Sequence, residues 1–356
     1  MTDLYLRNQK IINAIIEKAR RICPDSLALI GIYGSFMTGD TYEKSDLDLM
    51  IVINDDQGWR LSAGVIQDDL EVGHDIYCTT WESLENDARY QHPNLSKLLD
   101  SKIVYCSDDK HLERLESLRQ EARERMTSPL SHEDYQNAEK SLKDAEHHYL
   151  LAMTAETISD LRFQAGHVIY QIENAIALLN KTYFRRGTRR AYEELTAMPL
   201  RPATLCEQIE AIVSAATPEQ TKDALTSLVQ AVVRTFRQTN ATLTNEKSPA
   251  TADSLRGTYE EMFSNWRNKM YLAAELQDKH LAFLCMNSLA AMLFEIEADV
   301  AIDLYDVMSD YNPDDLLATA RAYDAILERY LQEYRKVDLE IEHYPDIDAF
   351  IKKYLA

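Results

Sequence analysis

Asp46 and Asp48 stand two residues apart in the run Ser45-Asp46-Leu47-Asp48-Leu49, and a Gly-Ser pair, Gly34-Ser35, precedes them. In an extended chain a spacing of two puts both carboxylates on one face and Leu47, Leu49 and Ile51 on the other. No cation lies between the two acids in the strand, so they repel each other unless something positive binds them. A hard divalent ion such as Mg²⁺ meets that need with oxygen ligands. Gly34 lets the backbone turn sharply and approach a ligand closely, while Ser35 offers a hydroxyl and a backbone N–H to a phosphate oxygen. Residue types and spacing therefore point to a metal held by Asp46 and Asp48 beside a phosphate held by Gly34 and Ser35.

Two strands are needed to position these groups. Leu27 to Tyr33 (LALIGIY) is a short apolar run that reads as a buried strand ending at the Gly-Ser turn. Asp46 to Ile53 alternates at first and then becomes wholly apolar, as a strand does when its start emerges at a site and its remainder is buried. A bare pair of aspartates is common on exposed loops. The ordered set of strand, Gly34-Ser35, Gly39 and Ser45-Asp46-Leu47-Asp48-Leu49 is far more specific, and it resembles the signature of the DNA polymerase β-like nucleotidyltransferase superfamily. Among the branches it is most similar to the antibiotic nucleotidyltransferases of the aminoglycoside and lincosamide type. The motifs cover about the first third of the chain, and the rest resembles the family only loosely.

The resemblance implies a Mg²⁺-dependent transfer of a nucleoside monophosphate from ATP or another nucleoside triphosphate, with pyrophosphate leaving. It also implies a third carboxylate on a neighbouring strand, completing the metal site or taking the proton of the attacking hydroxyl. The stretch DDLEVGHDIYC supplies it twice, because Glu71 and Asp75 share a face with Gly73 by the period of two. Asp75, just before the apolar Ile76-Tyr77, suits a metal ligand, and the longer Glu71 suits a general base. Lys44, just before Ser45, could contact phosphate, although a loop lysine is more often merely solvated. His74 should face away from Asp75, which favours a structural histidine, and His147-His148 has no partner at metal-ligand spacing.

A chain of 356 residues is longer than one typical core supports, so at least two domains are expected. The 59 acidic residues against 38 basic ones give a formal net charge of −21. This argues against a duplex nucleic-acid partner, which requires a basic surface, and makes a cationic small molecule the more natural guest. The same acidity also serves solubility alone. Five scattered cysteines without a CxxC pair predict a reduced cytoplasmic setting with neither disulfides nor a zinc site. The N-terminus lacks the apolar core of a signal peptide, and no run approaches the roughly 20 apolar residues of a membrane span, so a cytosolic protein without a membrane partner is expected.

Along the chain, apolar residues at helical spacing predict an amphipathic helix over residues 4 to 22, stopped by Pro24. After the two strands, a turn at Asn54 to Gly58, a short helix at Trp59 to Gln67, a third strand at Leu70 to Cys78, a helix opened by Thr79-Thr80, a strand at Ile103 to Cys106 and a helix over 110 to 126 follow. Residues 1 to 126 thus read as an α/β domain with a mixed sheet. Residues 127 to 356 read as an all-α region, subdivided near 244 to 257. Its start signals are Ser131 with Asp134, Thr204 with Glu207, Thr217-Pro218-Glu219-Gln220 and Asn312-Pro313, and the helix from Thr157 is expected to run to Tyr183 and stop at Gly187.

Within the helical region Glu146 and Glu173 are the acids of interest, since in some relatives a helical-domain glutamate is the base and the helical domain helps to form the acceptor cleft. The basic run Asn180 to Arg190 could reach phosphate through Lys181 or Arg185, against the simpler role of cations at a helix C-terminus. The apolar segment Phe283 to Phe294 leaves room for a homodimer. The reading is a nucleotidyltransferase acting on a small, cationic hydroxyl acceptor such as an aminoglycoside. Its alternatives are nucleotidylation of a protein and a nucleotide-binding regulatory module without turnover.

Overall fold

The structure, a computed structural model, describes the whole chain except Met1, residues 188–189 and residues 244–246, and the side chains of residues 2–3. The chain divides into two compact units, Met1–Thr244 and Asn245–Ala356. The subdivision expected from the 244–257 segment begins on residues outside the described ones.

In the first unit, α1 (Thr2–Ile22) leads into β1 (Leu27–Ile32), the one-turn helix α2 (Ser35–Thr38) and β2 (Leu49–Ile53). The strands β3 (Ala63–Gln67), β4 (Val72–Ile76) and β5 (Cys78–Thr80) follow, then α3 (Trp81–Ala88), α4 (Ser96–Leu99), β6 (Lys102–Cys106) and α5 (Asp109–Thr127). The main sheet is mixed, in the order β5-β2-β1-β6, with β1 antiparallel to β2 and β6 and with β2 parallel to β5. The period of two sorts its residues between two layers. Ile30, Ile51 and Ile53 pack with Ile12, Ile15 and Ala19 of α1. Leu29, Met50 and Val52 face the other way, onto Trp81 and Leu84 of α3 and Leu115 and Leu118 of α5.

Three sequence expectations fail in this region. Trp59 to Gln67 is not a helix but a 3₁₀ turn (Asp56–Leu61), capped by the Asp55 side chain, followed by strand β3. Val65 and Ile66 are exposed there, so no apolar face draws the segment into a helix. Leu70 to Cys78 is not one strand: β4 pairs antiparallel with β3 in a separate hairpin, and β5 crosses to the main sheet. Glu71 lies in the hairpin turn with φ of 52°, a left-handed conformation that takes it out of the strand alternation. The α3 cap is Thr80 alone, whose hydroxyl accepts from the Ser83 N–H.

The helices α6 (His132–Thr154), α7 (Ile158–Leu179), α8 (Ala191–Ala197), α9 (Leu205–Val213) and α10 (Pro218–Thr242) complete this unit. Capping boxes form at Ser131 with Asp134 and at Thr217 with Gln220. Thr204 caps α9 without a side-chain bond, so the expected third box is absent. Helix α7 stops at Leu179, short of Tyr183, because Lys181 adopts φ of 50° and the Asn180 amide donates to the carbonyls of Ile176 and Leu200. The helices share one core with Tyr90 and Leu95 of the preceding α/β segment. The Tyr90 hydroxyl donates to the Thr182 carbonyl at 2.6 Å, and the Asn137 amide donates to the Tyr90 carbonyl at 3.1 Å. Residues 1–126 and the helices as far as α10 are therefore bound into one compact body.

The second unit is helical apart from a two-residue parallel bridge between β7 (Ser248–Pro249) and β8 (Val300–Ala301). It comprises α11 (Ala252–Leu255), α12 (Thr258–Met262), α13 (Asn268–Leu276), α14 (Lys279–Asp299), α15 (Leu316–Lys336) and α16 (Ile347–Tyr354), with a π turn at Phe263–Arg267. Contrary to expectation, α14 is by length and composition apolar enough to cross a membrane. Its Ala282, Cys285, Met286, Leu289 and Leu293, at three- and four-residue steps, pack into the core of this unit against Tyr323, Leu327 and Tyr330 of α15.

Candidate active site

The end of β1 and the start of β2 are tied together before either side chain acts. The antiparallel register pairs Ile32 with Leu49, and the Tyr33 N–H donates to the Asp48 carbonyl at 3.1 Å, extending the ladder by one step. Asp46 to Asp48 thus precede the strand yet keep its alternation: Leu47 is buried, while Asp46 is exposed and Asp48 half-buried. The Arg7 guanidinium holds this loop from α1, donating to the Ser45 carbonyl at 2.5 Å.

Opposite the loop, Gly34 adopts φ of 68° and opens α2. A Cβ built on Gly34 would fall 1.9 Å from Asp48 Oδ2, so only glycine permits the turn and the carboxylate to meet. Burial, joined by the charge of Asp46, pushes the Asp48 carboxyl up, and a hydrogen bond from the Ser35 N–H opposes the shift. Gly34, Ser35 and Asp48 therefore share one corner.

Asp46, Asp48 and Asp75 line a single cavity of about 460 Å³ together with Tyr33, Trp59, Tyr77, Ser83 and Lys97. The Tyr33 hydroxyl registers all three acids: burial, then Asp48, Asp46 and Asp75, push its pKa up to about 12. Glu71 and Lys44 are placed differently. They form an exposed ion pair with each other at 2.7 Å, and among the described residues neither lines this cavity. His74 is buried and faces away from Asp75, as its alternation requires.

Among the described residues no group of three or more His, Cys, Asp or Glu side chains is drawn together tightly enough to form a metal cage. Asp46, Asp48 and Asp75 are the carboxylates on the cavity wall that could hold a cation. The mutual repulsion of Asp46 and Asp48 and the Ser35 N–H at the same corner fit a cation that carries phosphate.

A second cavity, of about 570 Å³, shares Tyr33, Ser83 and Lys97 with the first, so the two adjoin at those side chains. Its walls come from α3 and the following loop (Asp87, His92, Asn94) and from the helical segment (Tyr170, Glu173, Asn174, Phe184). Burial pushes the Glu173 carboxyl up to about 7. Glu146, on α6, lines neither cavity among the described residues. Tyr33, Asp87 and Lys97 escaped the sequence reading. Tyr33 had a signal, being the residue before the Gly-Ser turn, whereas Lys97 in Ser-Lys-Leu-Leu had none.

The basic run after α7 is spent on ion pairs. Lys181 is buried and pairs with Asp134 at 2.7 Å, and Arg185 lies 3.1 Å from Asp100. Arg186 and Arg190 both hold Asp40, next to Gly39, at 3.1 Å. Arg189 lies outside the described residues.

Residues 149–242, from the end of α6 through α10, match the family model of the KNTase C-terminal domain. A search of curated proteins gave no match. Among solved structures, a nucleotidyltransferase-like protein from Exiguobacterium sibiricum 255-15 is similar over 79% of this chain and 91% of its own, at 12% identity and a TM-score of 0.32, a likeness too slight to bear on the fold. A Gly-Ser turn facing paired carboxylates, followed by a segment that matches the KNTase C-terminal domain, makes this chain a nucleotidyltransferase.

Proposed function

We propose that the protein transfers AMP from ATP to a hydroxyl of a small, cationic acceptor, with Mg²⁺ as its metal. The observation that carries this reading is the shared wall of two cavities: three carboxylates line one, and the other, of a size typical for small ligands, adjoins it at Tyr33, Ser83 and Lys97. Asp46 and Asp48, with Asp75, would hold Mg²⁺, which when bound neutralises charge on phosphate oxygens. Gly34 and Ser35 would hold the polyphosphate tail at the shared corner.

Glu173 takes the role of general base in place of Glu71, which is engaged with Lys44 outside the cavity. A carboxyl with a pKa of about 7 is matched to accepting a hydroxyl proton near neutral pH. As Glu173 takes that proton, the acceptor oxygen forms a bond to the α-phosphorus. The bond from that phosphorus to the oxygen bridging to the β-phosphate breaks, and pyrophosphate leaves with the electron pair. Lys97 is paired with Asp87, which leaves Glu173 as the acid on the acceptor wall that a cationic guest would meet.

The test is pyrophosphate release with each of the four nucleoside triphosphates and Mg²⁺, with and without a panel of aminocyclitols. ATP-dependent release stimulated by an aminocyclitol is expected. Release stimulated only by a protein acceptor would replace the small-molecule reading with protein nucleotidylation. Absence of release under every condition would leave a binding module.

A further inference from the structure

We infer that Lys97 is a catalytic residue of this site, its ammonium contacting a non-bridging oxygen on the phosphorus under attack; the inference rests on the nucleotidyl-transfer reading above. Among the described residues Lys97 is the one Lys or Arg that lines either cavity, and it lines both. It thus stands on the wall shared by the cavity of Asp46 and Asp48 and the cavity of Glu173. Every other charged group on these walls apart from His92 is an acid: Asp46, Asp48 and Asp75 on one side, Asp87 and Glu173 on the other. Charge that develops on the transferred group therefore finds one fixed cation.

The way Lys97 is held supports the assignment. Its Nζ lies 3.1 Å from Oδ2 of Asp87, a side chain only 5% exposed. Asp87 Oδ1 is engaged by His92 Nε2 at 3.1 Å, so each oxygen of the buried carboxylate faces one partner. Asp87 thus fixes the lysine on the shared wall by charge, and a three-donor ammonium engaged by one carboxylate oxygen keeps donors for the cavity. A preorganised cation aimed at developing charge is typically responsible for two to three orders of magnitude in rate.

The test uses the full chain and the two phosphorothioate diastereomers of ATP that carry sulfur on the α-phosphorus. Because Lys97→Met alone would strand a buried carboxylate, the variant compared is Lys97→Met combined with Asp87→Asn, with Lys97→Arg as the conservative partner. The double variant is expected to melt near the parent and to lose about 100-fold in kcat. In the parent, one diastereomer is expected to be slower than the other, since sulfur accepts a hydrogen bond from an ammonium poorly. That preference should shrink toward unity in the double variant and persist in Lys97→Arg. A folded double variant with parental kcat, or with an unchanged diastereomer preference, overturns the assignment of Lys97 while leaving the transferase reading intact. A parent that releases no pyrophosphate from any nucleotide overturns that reading instead, and the assignment falls with it.

Discussion

Glu173 lies on α7 between the buried Ile172 and Asn174, and burial alone raises its carboxyl from 4.5 to about 7. A folded-state pKa above the unfolded one means that the native state holds the proton more tightly. The contribution to stability is present below about 4.5 and is lost as pH rises through 7. Glu173→Gln is therefore expected to melt above the parent at pH 8, by on the order of 1 to 2 kcal/mol after allowance for partial solvation, and level with it at pH 4. The parent's kcat/KM should climb with pH through about 7, and the variant should lose that limb. Equal melting of the two at both pH values would remove the buried-acid argument. Asp48→Asn behaves differently. It removes the repulsion with Asp46 while leaving an oxygen for the Ser35 N–H, so stability should hold or rise slightly as Mg²⁺-dependent transfer falls by several orders of magnitude. A variant that melts well below the parent, or retains near-parental transfer, would show that Asp48 is structural. Both aspartates were legible because the period of two survives even where the strand does not: the Tyr33 N–H to Asp48 carbonyl bond continues the ladder past Leu49. Lys97 was not, since its meaning comes from cavities assembled by residues far apart in the chain.

At the level of elements, the turn that carries Gly34 and Ser35 is tied to the segment before α8 through Asp40. The Arg186 guanidinium first, with Arg190 beside it, holds the Asp40 carboxyl down to about 2. A lowered acid contributes stability above its ordinary value near 3.8, and that contribution disappears as pH falls toward 2. Asp40→Asn should flatten the acid limb of the melting profile between pH 4 and 2 and, at neutral pH, raise the KM for nucleotide through a looser turn. An unchanged acid limb would show the clamp to be idle. This tie was not legible, because the helix dipole explains a basic run after α7 equally well. The β3–β4 hairpin was missed for another reason. Val65 and Ile66 point to solvent, so neither periodicity is clear, and the Glu71 left-handed turn interrupts what looks like one continuous strand. The helical start signals fared better where side chain and backbone could close a box, as at Ser131 and Thr217, than at Thr204, whose backbone angles of −93° and 12° turn the hydroxyl away from that bond.

For the whole molecule, the division at residues 244 and 245 makes a sharper statement than the sequence did. Three hydrophobic clusters draw their buried residues from between Ile12 and Phe236, and among the described residues those lining the two adjoining cavities fall between Tyr33 and Ala191. The match to the KNTase C-terminal domain ends at residue 242. The second unit has its own core, from Leu255 to Tyr334, rich in buried tyrosines. A body that owns its core and its site should fold and bind by itself. A chain ending at Leu243 is therefore expected to unfold in one cooperative transition and to bind Mg²⁺ with a non-hydrolysable ATP analogue at close to full-length affinity, within about threefold, a difference of less than 1 kcal/mol. Calorimetric titration of the two proteins with the same analogue measures this. If the shortened chain melts cooperatively but binds more than tenfold more weakly, the second unit supplies part of the nucleotide site, and the two-cavity account of that site is incomplete. If it does not melt cooperatively at all, the first core depends on the second, and the division of the chain at residue 244 does not mark an independent folding unit.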